Sequence, residues 1–275
     1  MKSTKSPSWI NSLFGLVPLP VPPFVFSTAE RTVSYLSLAE EGEFQCRESW
    51  RVALGEECFQ SGPLGGRLQD AESFTRSLDE LLDRLIQRPS QASLVVPDNW
   101  MRLTFIEVEE WPRRHDEQLE VLRFKLDRIV PFRAAELRIG ARRVPALSGE
   151  SDNRFLVGFG IESAFQQIEE AFADRGIRIG HISNDSLSLL EALKGGLAPA
   201  PLGAFVSVSE DRYSVVVTRR GEPIVYRSKA HGSTESLAPV ERELRLTRSF
   251  LQERVEPGIL SDLILAVPEE REASW

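Results

Sequence analysis

Sulfur and histidine are scarce: 275 residues contain two cysteines, Cys46 and Cys58, and three histidines. A disulfide framework needs more cysteine and no Cys-x-x-Cys pair occurs, so both thiols read as reduced. The histidines lie far apart in sequence, which leaves a metal site without support; no metal is expected. Positive charge is also in deficit, with 33 Lys and Arg against 41 Asp and Glu, a net charge of −8. A nucleic-acid surface needs clustered positive charge, so no such partner is expected. The basic runs Arg113-Arg114-His115 and Arg142-Arg143 sit beside acids and read as solvated faces. No clean apolar run reaches the roughly 18 residues of a membrane span. The Walker lysine loop, GxGxxG, HExxH and GxSxG are all missing, and with them the commonest phosphate, metalloprotease and hydrolase chemistries.

What is present begins with an unusual lead-in. Lys2 and Lys5 precede SWINSLFGLVPLPVPPF, where Pro18, Pro20, Pro22 and Pro23 break the apolar run and no small-x-small cleavage site follows. Residues 1–23 therefore read as a flexible Pro-rich tail with a short helix at its start. The other reading is an interfacial anchor through Trp9, Ile10, Leu13 and Phe14.

From Phe24 the pattern becomes regular. Strands are expected at Phe24–Phe26, Thr32–Leu38, Phe44–Ala53, Ser93–Val96 and Met101–Val108. Asp70 caps a helix over 71–87, and a second helix is expected over 113–130 with Leu119, Leu122, Leu126 and Ile129 on one face. Phe155–Phe159 reads as a strand, 162–174 as a helix capped by Gly176, and Ile177–Ile182 as a strand. Asn184 or Asp185 caps a helix that ends at Gly195-Gly196; the stretch 197–203 reads as a linker. Three strands then follow, the last two joined at Gly221, and after them a helix over 240–253 and a strand over 263–267.

The opening hairpin has a second copy. Phe26-Ser27-Thr28-Ala29-Glu30 aligns without a gap on Val206-Ser207-Val208-Ser209-Glu210, and Val33 then meets Tyr213. Both hairpins lead through further strand to an amphipathic helix and a buried strand, so an internal duplication is expected.

A duplicated βββαβα unit resembles the actin-like (ribonuclease H-like) fold. In the middle of the chain, Leu94-Val95-Val96-Pro97-Asp98, then Lys125-Leu126-Asp127-Arg128-Ile129-Val130-Pro131-Phe132, Ala135-Glu136-Leu137, and the helix starting Asn184-Asp185-Ser186-Leu187 carry a resemblance to a narrower group, the type IV pilus assembly protein PilM family. It implies an α/β chain of two actin-like halves with a small α+β subdomain inserted in the first. Residues 24–100 and 177–196 would form the first half, 101–176 the insert, and 204–275 a second half shortened at its C-terminal end.

The departures bear on chemistry. In the PilM family and its relative FtsA, each half's first hairpin carries an Asp-x-Gly turn. Here Ser27 and Ala29 stand in the first half, Ser207 and Ser209 in the second. Serine supplies no negative charge for a divalent ion, and a Cβ at the glycine position obstructs a phosphate. The family's glycine-rich turn after the last buried strand is replaced by Pro268-Glu269-Glu270. ATP and Mg, the family's cofactors, are therefore not expected, and no catalytic residue is assigned.

The resemblance implies a cytoplasmic scaffold of a type IV pilus assembly platform at the inner face of the inner membrane. Its partner would be the short N-terminal tail of a PilN-like bitopic protein, held between the first half and the insert; self-association is also open. Glu120, Phe124, Leu126, Asp127, Ile129, Val130 and Phe132 are the candidate groove residues. The alternatives are an ATPase that keeps its nucleotide through non-standard residues, or a GspL-like secretion component. Other features read as plain structure: Gly158-Phe159-Gly160 as backbone packing, Glu107, Glu109 and Glu110 as a solvated edge, and Ser233-Thr234 as a helix cap.

Overall fold

The computed structural model describes residues 22–38, 46–60, 65–131, 133–147, 153–197, 200–209, 212–230, 238–255 and 259–267. Residues 1–21, Phe132, Glu210, Ser233-Thr234 and Pro268-Glu269-Glu270 lie outside them.

The first half is a five-stranded sheet with helices on one face. Its strands are β1 (Phe24–Thr28), β2 (Thr32–Leu38), β3 (Cys46–Ala53), β4 (Gln91–Val96) and β8 (Arg178–Asn184), in the order β3-β2-β1-β4-β8. β2 alternates strictly, burying Val33, Tyr35 and Ser37, as expected of a strand with one covered face. β4 buries Ala92, Ser93, Leu94 and Val96 because it runs parallel between β1 and β8. Helix α1 (Ala71–Asp83) starts at Asp70, whose Oδ1 accepts from Ser73 N at 2.8 Å. The chain enters this sheet before Phe24: Pro22 O accepts from Ser93 Oγ and Pro23 O from Leu38 N.

The second half repeats this plan. Strands β9 (Gly203–Val208), β10 (Arg212–Arg219), β11 (Glu222–Ala230) and β12 (Asp262–Ala266) form a sheet in the order β11-β10-β9-β12. The registers match position for position. Phe26 pairs with Tyr35 and Thr28 with Val33; Val206 pairs with Val215 and Val208 with Tyr213. Phe26 lies beside Leu94 in the parallel β1·β4 pair, and Val206 beside Leu265 in β9·β12. Helices α4 (Asp185–Leu197) and α5 (Ala238–Arg254) cover opposite faces of this sheet. Arg220 and Gly221, both at positive φ, make the tight β10–β11 turn.

Between β4 and β8 lies the insert: β5 (Arg102–Glu107), helix α2 (His115–Leu126), β6 (Leu137–Arg143) and β7 (Arg154–Ile161). The three strands are antiparallel in the order β5-β7-β6. On one face Leu122 and Leu126 of α2 pack against Ile106, Leu137, Phe155, Val157 and Phe159. The other face carries Leu103 and Leu156, which meet Leu187 of α4 and Tyr226 of β11.

Several expectations change. Helix α3 (Glu162–Ala173) does not belong to the insert: Phe165, Ile168, Ala171 and Phe172 pack in the first half's core with Phe26, Phe74 and Leu94. The insert thus ends near Ile161, not at 176. Helix α1 stops at Asp83 rather than 87, because its last turn tightens to three-residue hydrogen bonds (Arg84 N to Leu81 O, Leu85 N to Leu82 O) ahead of Pro89. Ile86 is left 89% exposed. Helix α2 is shorter than 113–130, and Ile129 lies beyond it in solvent. In the expected 197–203 linker Leu197, Ala200 and Leu202 are buried, and β9 begins at Gly203. Strand β6, with Gly140 at its centre and Arg142-Arg143 at its end, had no signal of its own.

Candidate functional site

Two concave regions follow from this architecture. The first is the cleft between the halves. Strands β1, β4 and β8 run parallel, so their C-terminal ends lie side by side at one edge of the sheet, where open α/β sheets place their ligands. The sequence puts Ala29, Asp98 and Asp185 just past those ends.

Ser27 and Ala29 stand on the β1–β2 hairpin, Ser207 and Ser209 on the β9–β10 hairpin. The tips are equivalent: Ala29 N donates to Thr32 O at 2.9 Å, and Ser209 N to Arg212 O at 2.8 Å. None of the four residues brings a charge.

The charged groups of the cleft come from elsewhere. Asp98 is buried and accepts from Ser186 N at 3.1 Å, Ser186 Oγ at 2.5 Å and Ser214 Oγ at 2.5 Å. Ser214 belongs to β10, so this carboxylate ties the first half to the second. Asn184 caps α4: its Oδ1 accepts from Leu187 N, while its Nδ2 donates to Met101 O. Desolvation in the cleft, and then the neighbouring Asp98, push the Asp185 carboxyl above the usual carboxylate range. Burial and then Asp98 push the Tyr226 phenol up as well, against the hydroxyls of Ser228, Ser186 and Ser214. A second tether is Arg154, buried in β7, whose Nη2 donates to Ile224 O of the second half at 2.9 Å. The Asp98 and Arg154 contacts had no sequence signal, since each joins residues far apart in the chain.

The second region is a groove of 260 Å³ between the insert and the first half. Arg138, Ile139 and Gly140 of β6, Gly158 and Gly160 of β7, and Ile179, Gly180 and His181 of β8 line it, with Met101, Phe165 and Glu169. Glycine is required on β7, where a Cβ at 160 would meet Trp100 O and the Phe165 ring at 2.5 Å, and one at 158 would meet Met101. The Gly-x-Gly is therefore backbone packing. Gly140 differs, because a Cβ there meets nothing within 4 Å.

One wall is held by a charge cluster. Arg138 Nε and Nη2 donate to Glu162 at 2.9 and 2.6 Å, and Nη1 and Nη2 to Glu169 at 2.8 and 2.7 Å. The Arg138 guanidinium holds the Glu162 carboxyl below its usual range. Partial desolvation lowers the pKa of His181.

None of the described residues expected to wall this groove lines it. Leu126 is fully buried in the insert core and Val130 packs against it. Asp127 Oδ1 accepts from Ala134 N at 2.7 Å and so closes the turn after α2. Glu120, Phe124 and Ile129 are exposed, with the Arg128 guanidinium 4.2 Å over the Phe124 ring. These residues sit with α2, whose sheet face carries Phe155 and Val157. The groove opens on the other face, where Gly158 and Gly160 point.

No protein-family model matches the chain, and no curated sequence does. Solved structures do. A type IV pilus biogenesis complex of PilM with PilN superposes with a TM-score of 0.65 at 15% identity, covering 85% of this chain and 71% of that one. The fold is that of the actin-like ATPases. A protein of unknown function from Bacteroides thetaiotaomicron with that fold matches at TM-score 0.53 and 12% identity, over 92% of this chain and 85% of that one. The cytoplasmic domain of EpsL, an inner-membrane component of the Vibrio cholerae type II secretion system, matches at 0.52 and 13%, over 90% and 83%. Among the described residues no helix is long and apolar enough to cross a membrane, and no cluster of three or more His, Cys, Asp or Glu forms a metal site.

Proposed function

We propose that the chain is a non-catalytic scaffold of a type IV pilus assembly platform. It works on the cytoplasmic face of the inner membrane and holds the N-terminal tail of a PilN-like protein in the groove between first half and insert. The observation that carries this reading is the groove itself. It runs between two strand edges, β6 and β8, over a glycine floor, in a fold matching a PilM–PilN complex. An extended peptide suits such a place, because backbone groups at strand edges accept it and apolar walls select its side chains. Glu169 and Arg138 line the groove and Glu162 binds the same Arg138, an excess of one acid in this cluster that favours a basic tail. The match to EpsL supports a secretion platform as the neighbouring version of the same role.

The cleft does not fit Mg-nucleotide. The Ala29 and Ser209 amides are engaged within their own hairpins, and Asp98 spends its oxygens on Ser186 and Ser214. Asp185 favours its neutral form relative to a free carboxyl. The chain is therefore read as a pseudo-ATPase.

Calorimetric titration with Mg-ATP tests the second statement, and micromolar binding would overturn it. The first is tested by fluorescence anisotropy with a labelled N-terminal peptide of a PilN-like protein. Gly140 lines the groove and a Cβ there meets nothing within 4 Å, so Gly140→Trp is the substitution to fill it. Binding should fall at least about tenfold, a loss of ~1.4 kcal/mol. Unchanged binding would refute the assignment of the groove.

A further inference from the structure

The matched registers of the two halves make β12 the counterpart of β4, with Leu265 in the place of Leu94, Leu263 in that of Ala92 and Val267 in that of Val96. The counterparts differ in exposure. Ala92, Leu94 and Val96 are all 0% exposed, whereas Leu263 is 57% and Leu265 38% exposed. The cause is a helix–strand unit. In the first half α3 lays Ile168 and Phe172 over β4, and β8 pairs in parallel with its far edge. At β12 that far edge carries no strand among the described residues.

The flanking helices correspond too. Ser77 of α1 faces the outer strand and donates to Ala53 O of β3; two residues on, Asp79 holds Arg175, which follows α3, through Nε at 2.6 Å and Nη2 at 2.8 Å. In α5 it is Glu243 that faces the outer strand, bound by Arg227 and Lys229 of β11, and two residues on stands Arg245. At about 100° per residue, Arg245 and Arg248 fall on the flank away from β11, beside β12. The flank that is acidic in the first half is thus basic in the second. Arg248 is exposed, and among the described residues Arg245 pairs with the exposed Glu241 at 3.0 Å.

We propose that the β12 edge and the adjoining flank of α5 form a docking seat for a segment of a second polypeptide. That segment is an amphipathic helix with an acidic residue at its end, followed by a strand that adds in parallel to β12. The helix covers Leu263 and Leu265, its acid meets Arg245, and the strand takes the open backbone edge. This seat is separate from the tail-binding groove and does not depend on it.

The chain carries its own template for the probe. A labelled peptide of residues 162–184 with Arg175→Glu, titrated onto the full-length protein, should bind saturably by anisotropy. The unaltered peptide should bind about fivefold more weakly, the scale of one exposed ion pair. Arg245→Glu in the protein should reverse that preference, and Leu265→Glu should abolish binding of both. Absence of saturable binding up to millimolar protein, or binding indifferent to charge and to Leu265→Glu, overturns the proposal. So does a dimer, seen by sedimentation, that Leu265→Glu dissociates, because the edge would then belong to a second copy of the chain.

Discussion

Asp98 joins the two halves through a buried carboxylate, and its removal has a calculable effect. Its carboxylate takes three hydrogen bonds, one of them from Ser214 in the other half. A hydrogen bond to a charged group contributes about 1.5–3 kcal/mol. The three share one acceptor and are not additive, and the cost of burying that charge is recovered when it is removed. Asp98→Ala should therefore cost about 3 kcal/mol, with the Ser186 and Ser214 hydroxyls left without their acceptor. For a chain of this size that is a fall of roughly 6–12 °C in Tm. Ser214→Ala alone should cost about 1 kcal/mol, and should cost almost nothing more once Asp98 is gone. Urea unfolding of the four proteins in this cycle measures the coupling. Small-angle scattering of Asp98→Ala should show a larger radius of gyration, limited by the Arg154–Ile224 tether. Additive losses, or a loss below about 1 kcal/mol for Asp98→Ala, would refute the view that this carboxylate holds the halves together. The pH response adds a check of sign. The folded-state pKa of Asp185 is raised, so the native protein holds a proton that the unfolded chain has released above the ordinary value of 3.8. Its effect on stability is most favourable below that value and declines as pH rises towards the folded pKa. Asp98→Asn removes the facing charge and should flatten this decline.

Four further outcomes are expected. Arg138→Met should reduce stability above the ordinary glutamate value of 4.5 and weaken its dependence on pH below it; the lowered pKa of Glu162 gives stability that is present above that value and lost on acidification. Chemical unfolding at pH 3 to 7 reads this. Gly176→Ala, at φ +74 with open space around it, should cost about 1 kcal/mol. Gly160→Ala should cost about 2–3 kcal/mol or prevent folding, since its Cβ strikes Trp100 O and Phe165; thermal melts separate the two. Phe124→Ser and Ile129→Ser, exposed and remote from the groove, should leave peptide binding within about twofold, as should Glu30→Ala on the β1–β2 hairpin tip. A tenfold loss in any of the three would move the binding surface onto that residue.

Local pattern determined much of this protein. The alternation of Thr32–Leu38, the Asp70 cap and Gly176 past α3 state their structures within a few residues, because backbone propensity and capping are short-range. The duplicated hairpins, and with them the actin-like plan, were legible because both copies kept the same order of side chains. What the sequence could not decide was which apolar face meets which. Helix α3 follows the insert in the chain but packs with the first sheet, and Leu126 fills a core where a binding wall was expected. Strand β6, poor in β-formers, exists because β7 offers it an edge. The groove, the Asp98–Ser214 tether and the open side of β12 all join residues tens to more than a hundred positions apart. Such contacts are made by the closing of sheets and halves on one another, and no window of sequence contains them.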